Sequence, residues 1–119
     1  MGNTCGSEVT REPDTICIEY FNVHGRGDPI KALLHHNGTA FVEENVSIPN
    51  YLMRKARGSK AGEFGSALPV VHYQGKSMQQ VGAVMRALAI ERGYYNPRDW
   101  RQAMKIDWVI DTWGEMLDA

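Results

Sequence analysis

The sequence predicts an α/β domain followed by one long helix, and three observations support this fold class. A strand, a loop and a helix with start and stop signals follow one another from Ile16 to Gly38. A Leu68-Pro69 pair leads into a strand, a glycine turn and a second strand, which predicts a hairpin. Apolar residues then recur at helical spacing over residues 79–92 and again over residues 98–117.

The first segment is the one around which the chain is organised. β-branched and aromatic residues alternate over residues 16–21 and predict a strand, which a glycine-containing loop over residues 22–27 ends. We predict Asp28 as the N-cap of the following helix and Pro29 as its first helical residue. Gly38 would supply the left-handed residue that ends this helix.

The middle of the chain indicates a second strand, a short helix and a glycine-rich loop. We predict the strand over Phe41 to Val46, ended by Ser47-Ile48-Pro49, and the helix over Tyr51 to Arg57. The segment Gly58 to Gly65 contains three glycines and is predicted to be a flexible loop.

Two apolar stripes run along the last predicted helix, which follows a break at Asn96-Pro97. A helix that is apolar on two sides must be covered on two sides, and the helix over residues 79–92 can cover only one. We therefore expect either that the chain is a fragment or that a protein partner or a second copy covers the helix from Trp100 to Leu117. One stripe comprises Ile106, Val109, Ile110, Trp113 and Leu117, and the other comprises Trp100, Met104 and Trp108.

The composition argues against several functions. The 119 residues suit one globular domain, with 43% hydrophobic and 23% charged residues. A net charge of −1, with basic residues scattered among acidic ones, gives no case for nucleic acid binding. No apolar run approaches the ~20 residues that span a bilayer, and no ligand spacing predicts a metal site. Cys5 and Cys17 are too few for a disulfide scaffold, so a cytoplasmic location is expected.

Residues 1–15 are polar and aperiodic, and we expect them to be disordered. Two interpretations of this extension stay open. Gly2 could be acylated after removal of Met1, with Cys5 available for a second acyl chain, and two chains would attach the protein to a membrane surface. Alternatively, the segment is a plain flexible tail that begins Met-Gly.

Three segments together are similar to the N-terminal domain of the cytosolic glutathione transferases, with the sigma-like, tyrosine-type enzymes nearest. They are IEYFNVHGRGDPIK, SALPVVHYQGK and QVGAVMRALA. Their order and spacing fit the thioredoxin-like β-α-β-α-β-β-α domain of that family. The resemblance implies such a domain over residues 16–95 and, over residues 96–119, the first helix of a truncated or partner-completed all-α domain.

The resemblance also implies glutathione as the co-substrate and assigns its site. Tyr20 would donate a hydrogen bond to the developing thiolate and so lower the pKa of the glutathione thiol, with Arg26 supporting it electrostatically. A tyrosine in a strand is often only a packing residue, but the Tyr-Phe-x-x-x-Gly-Arg-Gly pattern favours the catalytic interpretation. The other contacts implied by the resemblance are Tyr51, Lys55, Leu68 through its main chain, Pro69 in a cis peptide, Gln80 and Val81. The resemblance also implies that Asp111 reaches towards glutathione on the neighbouring subunit.

Several of these positions depart from the family pattern or have a simpler interpretation. Val81 stands where the family has a serine, and the loss of a hydrogen bond to a charged group costs about 1.5–3 kcal/mol, or about 10- to 100-fold in affinity. Ala67 offers no side-chain contact where Lys or Gln is frequent. Tyr51 and Lys55 could equally form a solvated helix face, and Asp111 with Asp107 a solvated acidic edge.

Two hypotheses follow from these residues. The first is a glutathione transferase of the tyrosine type that acts on small electrophiles. The second is a non-catalytic subunit of the same fold, used as a structural or docking module in a larger assembly. Val81 and the absence of an electrophile-binding domain from this sequence favour the second, whereas Tyr20, Arg26 and Gln80 favour the first.

Overall fold

The computed structural model describes residues 15–57 and 68–118, which form a four-stranded sheet and four helices. The predicted α/β fold class is confirmed. In chain order the elements are β1 (Ile16–Tyr20), α1 (Asp28–Asn37), β2 (Phe41–Asn45), α2 (Ile48–Arg57), β3 (Val70–Tyr73), β4 (Lys76–Met78), α3 (Val81–Glu91) and α4 (Trp100–Asp118). Three sequence predictions lie outside the described residues: the acylation of Gly2 and Cys5, the loop over Gly58 to Gly65, and the position of Ala67.

The sheet has the strand order β2-β1-β3-β4. β2 runs parallel to β1 through the α1 crossover, whereas β3 runs antiparallel to β1 and pairs with β4 in a hairpin. The hairpin turns at Gln74 and Gly75, whose φ values of 51° and 76° are typical of a two-residue turn that matches the twist of the strands. Gly75 thus lies in the turn, as predicted.

The core lies between one face of the sheet and the helices α1 and α3. Its members are fully buried aliphatic side chains: Ile16, Ile18, Ile30, Leu34, Val71, Val84 and Leu88. Because side chains alternate along a strand, Cys17 and Glu19 face the opposite side of the sheet, where α2 lies. Burial of the apolar face of β1 therefore fixes the position of Tyr20 at the end of that strand.

Helix α1 begins differently from the prediction. Gly27, and not Asp28, is the N-cap residue, and no side chain of the described residues caps the helix. The Asp28 carboxylate points back into the loop, where it accepts a hydrogen bond from the Gly25 N–H at 3.1 Å and contacts His24 Nδ1 at 3.2 Å. The predicted end is confirmed, because Gly38 adopts the left-handed conformation with φ 78°.

The other three helices also begin at residues that differ from the prediction, and α4 begins at Trp100 rather than Arg98. Helix α2 begins at Ile48 rather than Tyr51, and the Ser47 hydroxyl oxygen accepts a hydrogen bond from the Asn50 N–H at 3.3 Å. Helix α3 begins at Val81 rather than Gln79, because Gln80 has a φ of 72°, outside the helical region.

Helix α4 packs on the domain along part of its surface only. Ala103 and Ile106 contact a small apolar cluster with Ala89 and Tyr95. The predicted second stripe is exposed to solvent, with Trp100 at 62% and Trp108 at 67% exposure. In the described part of the chain, no helix is both long and apolar enough to cross a membrane.

Candidate functional site

Tyr20 ends β1 beneath the loop over residues 22–27 and is 8% exposed. Two glycines allow the loop to lie directly on the tyrosine ring. A Cβ atom on Gly25 would lie 2.7 Å from Tyr20 Oη, and one on Gly27 would lie 2.9 Å from Tyr20 Cδ2. These distances are too short for any other residue type, so the two glycines of the sequence pattern are a steric requirement of the tyrosine.

The hydroxyl of Tyr20 is oriented by the backbone of the same loop. The Arg26 N–H donates a hydrogen bond to Tyr20 Oη at 2.9 Å. A phenolic hydroxyl can accept one hydrogen bond and still donate its own hydrogen, and the accepted bond strengthens it as a donor. The arrangement can therefore stabilise an anion placed in line with the O–H bond.

A cleft of about 850 Å³ lies between the segment before β3, the start of α3 and the second half of α4. It brings together six of the predicted site residues: Arg26, Leu68, Pro69, Gln80, Val81 and Asp111. The other described residues that line it are Gly82, Ala83, Arg86, Ile110, Trp113, Gly114 and Glu115. Asp111 lies on the α4 wall of this cleft.

The floor of the cleft contains two unusual backbone conformations. The Leu68-Pro69 peptide bond is cis, as the resemblance implied. Gln80 combines φ 72° with ψ 110°, a region that costs a non-glycine residue of order 1–3 kcal/mol and that clusters at binding sites. The next residue, Val81, opens α3, and the first N–H groups of a helix lack intrahelical acceptors. This end of the cleft is therefore suited to an anionic group.

The structure does not place every predicted residue in the cleft. Tyr20, Tyr51 and Lys55 are not among the described residues that line it. The Tyr51 ring packs edge-on against Phe21 at 5.1 Å, and Phe21 lies 5.6 Å from the Tyr20 ring, so an aromatic row connects α2 to the end of β1. Lys55 is exposed on α2.

An ionic network on the α4 side of the cleft was not predicted. Arg86 Nε donates to Asp107 Oδ1 at 2.7 Å and Arg86 Nη2 donates to Asp111 Oδ1 at 3.0 Å. The Tyr95 hydroxyl adds a bond to Asp107 at 3.0 Å. The hydrogen bond from Arg86 holds the pKa of Asp107 below its ordinary value despite partial desolvation. Asp107 is therefore a paired group and not a solvated acidic edge.

A second unpredicted network lies on the opposite face of the sheet. The buried carboxylate of Glu19 contacts Arg54 Nη1 at 2.5 Å and His72 Nε2 at 2.6 Å, and His72 Nδ1 lies 3.0 Å from Ser77 Oγ. Burial alone would raise the pKa of Glu19, but the hydrogen bonds from His72 and Arg54 outweigh it and lower the pKa. The network joins β1, which carries Tyr20, to α2 and the hairpin.

Across the ranges 15–57 and 68–118, no group of three or more His, Cys, Asp or Glu side chains could hold a metal ion.

The strand order and the cis-proline beside a cleft define the class of the domain, which is thioredoxin-like. Similar solved structures include a Nu-class glutathione S-transferase from Haemonchus contortus, with a TM-score of 0.71 at 22% identity over 87% of this chain and 48% of that one. Another is prostaglandin synthase D of Nilaparvata lugens, with a TM-score of 0.69 at 26% identity over 85% of this chain and 48% of that one.

Sequence comparison leads to the same family. The chain is 30% identical over 95 residues to a glutathione S-transferase of Anopheles gambiae, which covers 80% of this chain and 44% of that protein. It is 31% identical over 94 residues to glutathione S-transferase P 1 of Xenopus laevis, which covers 79% of this chain and 43% of that protein. No family model matches the chain. The chain belongs to the glutathione S-transferase family and spans less than half the length of these curated relatives.

Proposed function

We propose that this chain binds glutathione in the cleft and that Tyr20 stabilises the bound thiolate for attack on small electrophiles, as in a sigma-like, tyrosine-type transferase. One observation carries the proposal: a single cleft gathers Arg26, Leu68, Pro69, Gln80 and Asp111, residues that are far apart in sequence. Glutathione carries carboxylates and an ammonium group. The cleft offers the N-terminus of α3 for a carboxylate and Asp111 for the ammonium group.

The chemistry would depend on the hydrogen bond from Arg26 N–H to Tyr20 Oη. A thiol is mostly protonated at neutral pH, and a donor aimed at its sulfur favours the thiolate. The hydroxyl of Tyr20 keeps its own hydrogen for this purpose, since the Arg26 amide occupies an acceptor position. Arg26 itself lines the cleft, where its side chain adds positive charge.

The direct test is calorimetric titration of the purified chain with glutathione, combined with ultraviolet detection of the bound thiolate. We expect Tyr20→Phe to keep the affinity for glutathione while it abolishes the thiolate signal. Tyr73→Phe is the matched control, because Tyr73 lies on β3 and its hydroxyl bonds to Glu91. If the wild-type chain does not bind glutathione, the proposed function is wrong.

A non-catalytic docking subunit is the second candidate, and one observation favours it. Tyr20 is 8% exposed beneath its glycine loop and does not line the cleft, so a ligand in the cleft would reach its hydroxyl only after the loop shifts. An active thiolate signal that is lost in Tyr20→Phe would exclude this candidate. Glutathione binding without any thiolate signal would support it.

The exposed face of α4 supports the proposal of a protein partner or a homodimer on this helix. Trp100, Met104 and Trp108 are between 57% and 67% exposed and lie along one side. Large exposed aromatic side chains are typical of protein contacts. If a homodimer forms, the molar mass of the wild type in solution, measured by light scattering, should be that of a dimer, and it should fall to that of a monomer in Trp108→Glu.

A cytoplasmic location, with membrane attachment through acylated Gly2 and Cys5, is also part of the proposal. It is supported by the Met-Gly start of the sequence, since removal of Met1 would expose Gly2 for acylation. Intact mass of the protein expressed with an N-myristoyltransferase tests it, with Gly2→Ala as the control. An unmodified mass would contradict the acylation.

A further inference from the structure

Arg86 on α3 lines the cleft, and its guanidinium group is paired with two carboxylates of α4. Its Nε and Nη2 atoms bond to Asp107 and Asp111, and its Nη1 atom lies over the first turn of α3. A Cβ atom on Gly82 would be 3.1 Å from Nη1 and 3.4 Å from Ile110 Cγ2, so Gly82 provides the space in which the guanidinium group lies.

The two aspartates differ in what remains available to a ligand. Asp107 is bonded through both oxygens, to Arg86 and to the Tyr95 hydroxyl, and its side chain is 37% exposed. Asp111 is held through Oδ1, and its side chain is 67% exposed at the cleft wall. One arginine against two carboxylates leaves this wall net negative, so Arg86 does not supply positive charge to an anionic ligand.

We propose that Arg86 is a positioning residue: it joins α3 to α4 through Asp107 and holds the Asp111 carboxylate at the cleft wall. The inference that Asp111 then contacts the ammonium group of the ligand rests on the proposed function. A planar guanidinium group can bridge two carboxylates in a fixed geometry, whereas a lysine ammonium group acts as a point charge. Arg86→Lys keeps the positive charge and should therefore retain only part of the affinity for glutathione.

The test is a double-mutant cycle for glutathione affinity with Arg86→Met, Asp111→Asn and the double variant. We expect each single variant to weaken binding about 10-fold, the lower end for a hydrogen bond to a charged group. The double variant should bind about as weakly as either single variant, because both changes remove one interaction. Arg92→Met is the matched control, since Arg92 follows α3 and its side chain bonds to Glu91 and Thr39 away from the cleft.

A full, independent effect of Asp111→Asn in the Arg86→Met background would overturn the inference, because Arg86 would then not act through Asp111. If Arg86→Met does not fold, Arg86→Lys replaces it, since lysine keeps the charge but cannot bridge the two carboxylates in a fixed geometry. Weaker binding without loss of stability is then the expected result, and unchanged affinity overturns the inference.

A measurement without ligand separates this inference from the proposed function. All three tryptophans lie on α4, and Trp113 borders the cleft. In a Trp100→Phe, Trp108→Phe background, acrylamide quenching of Trp113 should increase when Arg86 is replaced by methionine. If the wild type binds no glutathione, the proposed function is wrong, but the quenching measurement still tests the role of Arg86. Quenching of Trp113 that is unchanged in Arg86→Met would overturn the inference that Arg86 positions α4.

Discussion

Replacement of Glu19 by glutamine should destabilise the domain much more than a charge change at an exposed ion pair. The Glu19 residue is 7% exposed, and its two oxygens contact Arg54 and His72. A glutamine amide keeps a single oxygen acceptor and weakens both charged hydrogen bonds. Each such bond is worth about 1.5–3 kcal/mol, against about 1 kcal/mol for a neutral one.

The partly exposed partners reduce this cost. The side chains of Arg54 and His72 are 39% and 25% exposed, so solvent screens part of the interaction. We expect a loss of about 2 kcal/mol in the free energy of unfolding, below the range of about 3–5 kcal/mol for a broken buried pair. For a domain of this size that corresponds to a fall of roughly 8 °C in Tm.

The pH dependence identifies the carboxylate as the cause. The pKa of Glu19 is lower in the folded chain than its ordinary value of 4.5, so its contribution is present above pH 4.5 and is lost as the pH falls through the lowered pKa. Urea unfolding of the wild type and Glu19→Gln should therefore differ at neutral pH and converge in acid. Glu43→Gln is the control, since its pair with Lys31 is 46% exposed on the Glu43 side and should contribute below about 1 kcal/mol. The reasoning would be refuted if the difference in free energy of unfolding between the wild type and Glu19→Gln did not depend on pH. It would also be refuted if that difference were as small as the one for Glu43→Gln.

Three other substitutions test the cleft and its tyrosine. Gln80→Gly should stabilise the domain by about 1 kcal/mol in urea unfolding, because glycine relieves the positive φ, yet weaken glutathione binding; a stability loss would contradict this. Val81→Ser should tighten glutathione binding about 10-fold by calorimetry, and unchanged affinity would argue against the assigned contact. Gly25→Ala should cost about 2 kcal/mol and alter the near-ultraviolet dichroism of Tyr20, because its methyl group would collide with the hydroxyl. Gly114→Ala, which meets open space, should show neither effect.

Signals contained within a few residues predicted the fold well. The glycine at the end of α1 and the glycine in the hairpin both adopt the expected positive φ, since backbone sterics alone decide these conformations. The order of strands and helices was also correct, because apolar periodicity reflects which face each element buries.

The errors arose where two local interactions compete. Asp28 is a good N-cap residue by type, but the Gly25 N–H three residues earlier takes its carboxylate, and the helix begins without a side-chain cap. Ser47 was assigned to the end of a strand, although its hydroxyl caps the first turn of α2. A propensity scale does not predict which neighbouring backbone N–H a short polar side chain will accept a hydrogen bond from.

The two ionic networks could not be predicted from the chain. Glu19 and His72 are 53 positions apart, and Arg86 and Asp107 are 21 positions apart. Each pair depends on how a helix or strand packs on the rest of the domain. The one signal for the first network was a glutamate within an otherwise apolar strand, since a buried carboxylate needs partners.

The two outer strands restrict how this chain can associate with others. β4 has three residues and begins with the exposed Lys76, while β2 carries Glu43 and Glu44 in its five residues. Short, charged border strands discourage backbone pairing with a neighbouring sheet, which is the usual start of cross-β aggregation. Self-association of the native domain should therefore involve helix side chains, and it should not increase the β-sheet signal in infrared spectra as protein concentration rises.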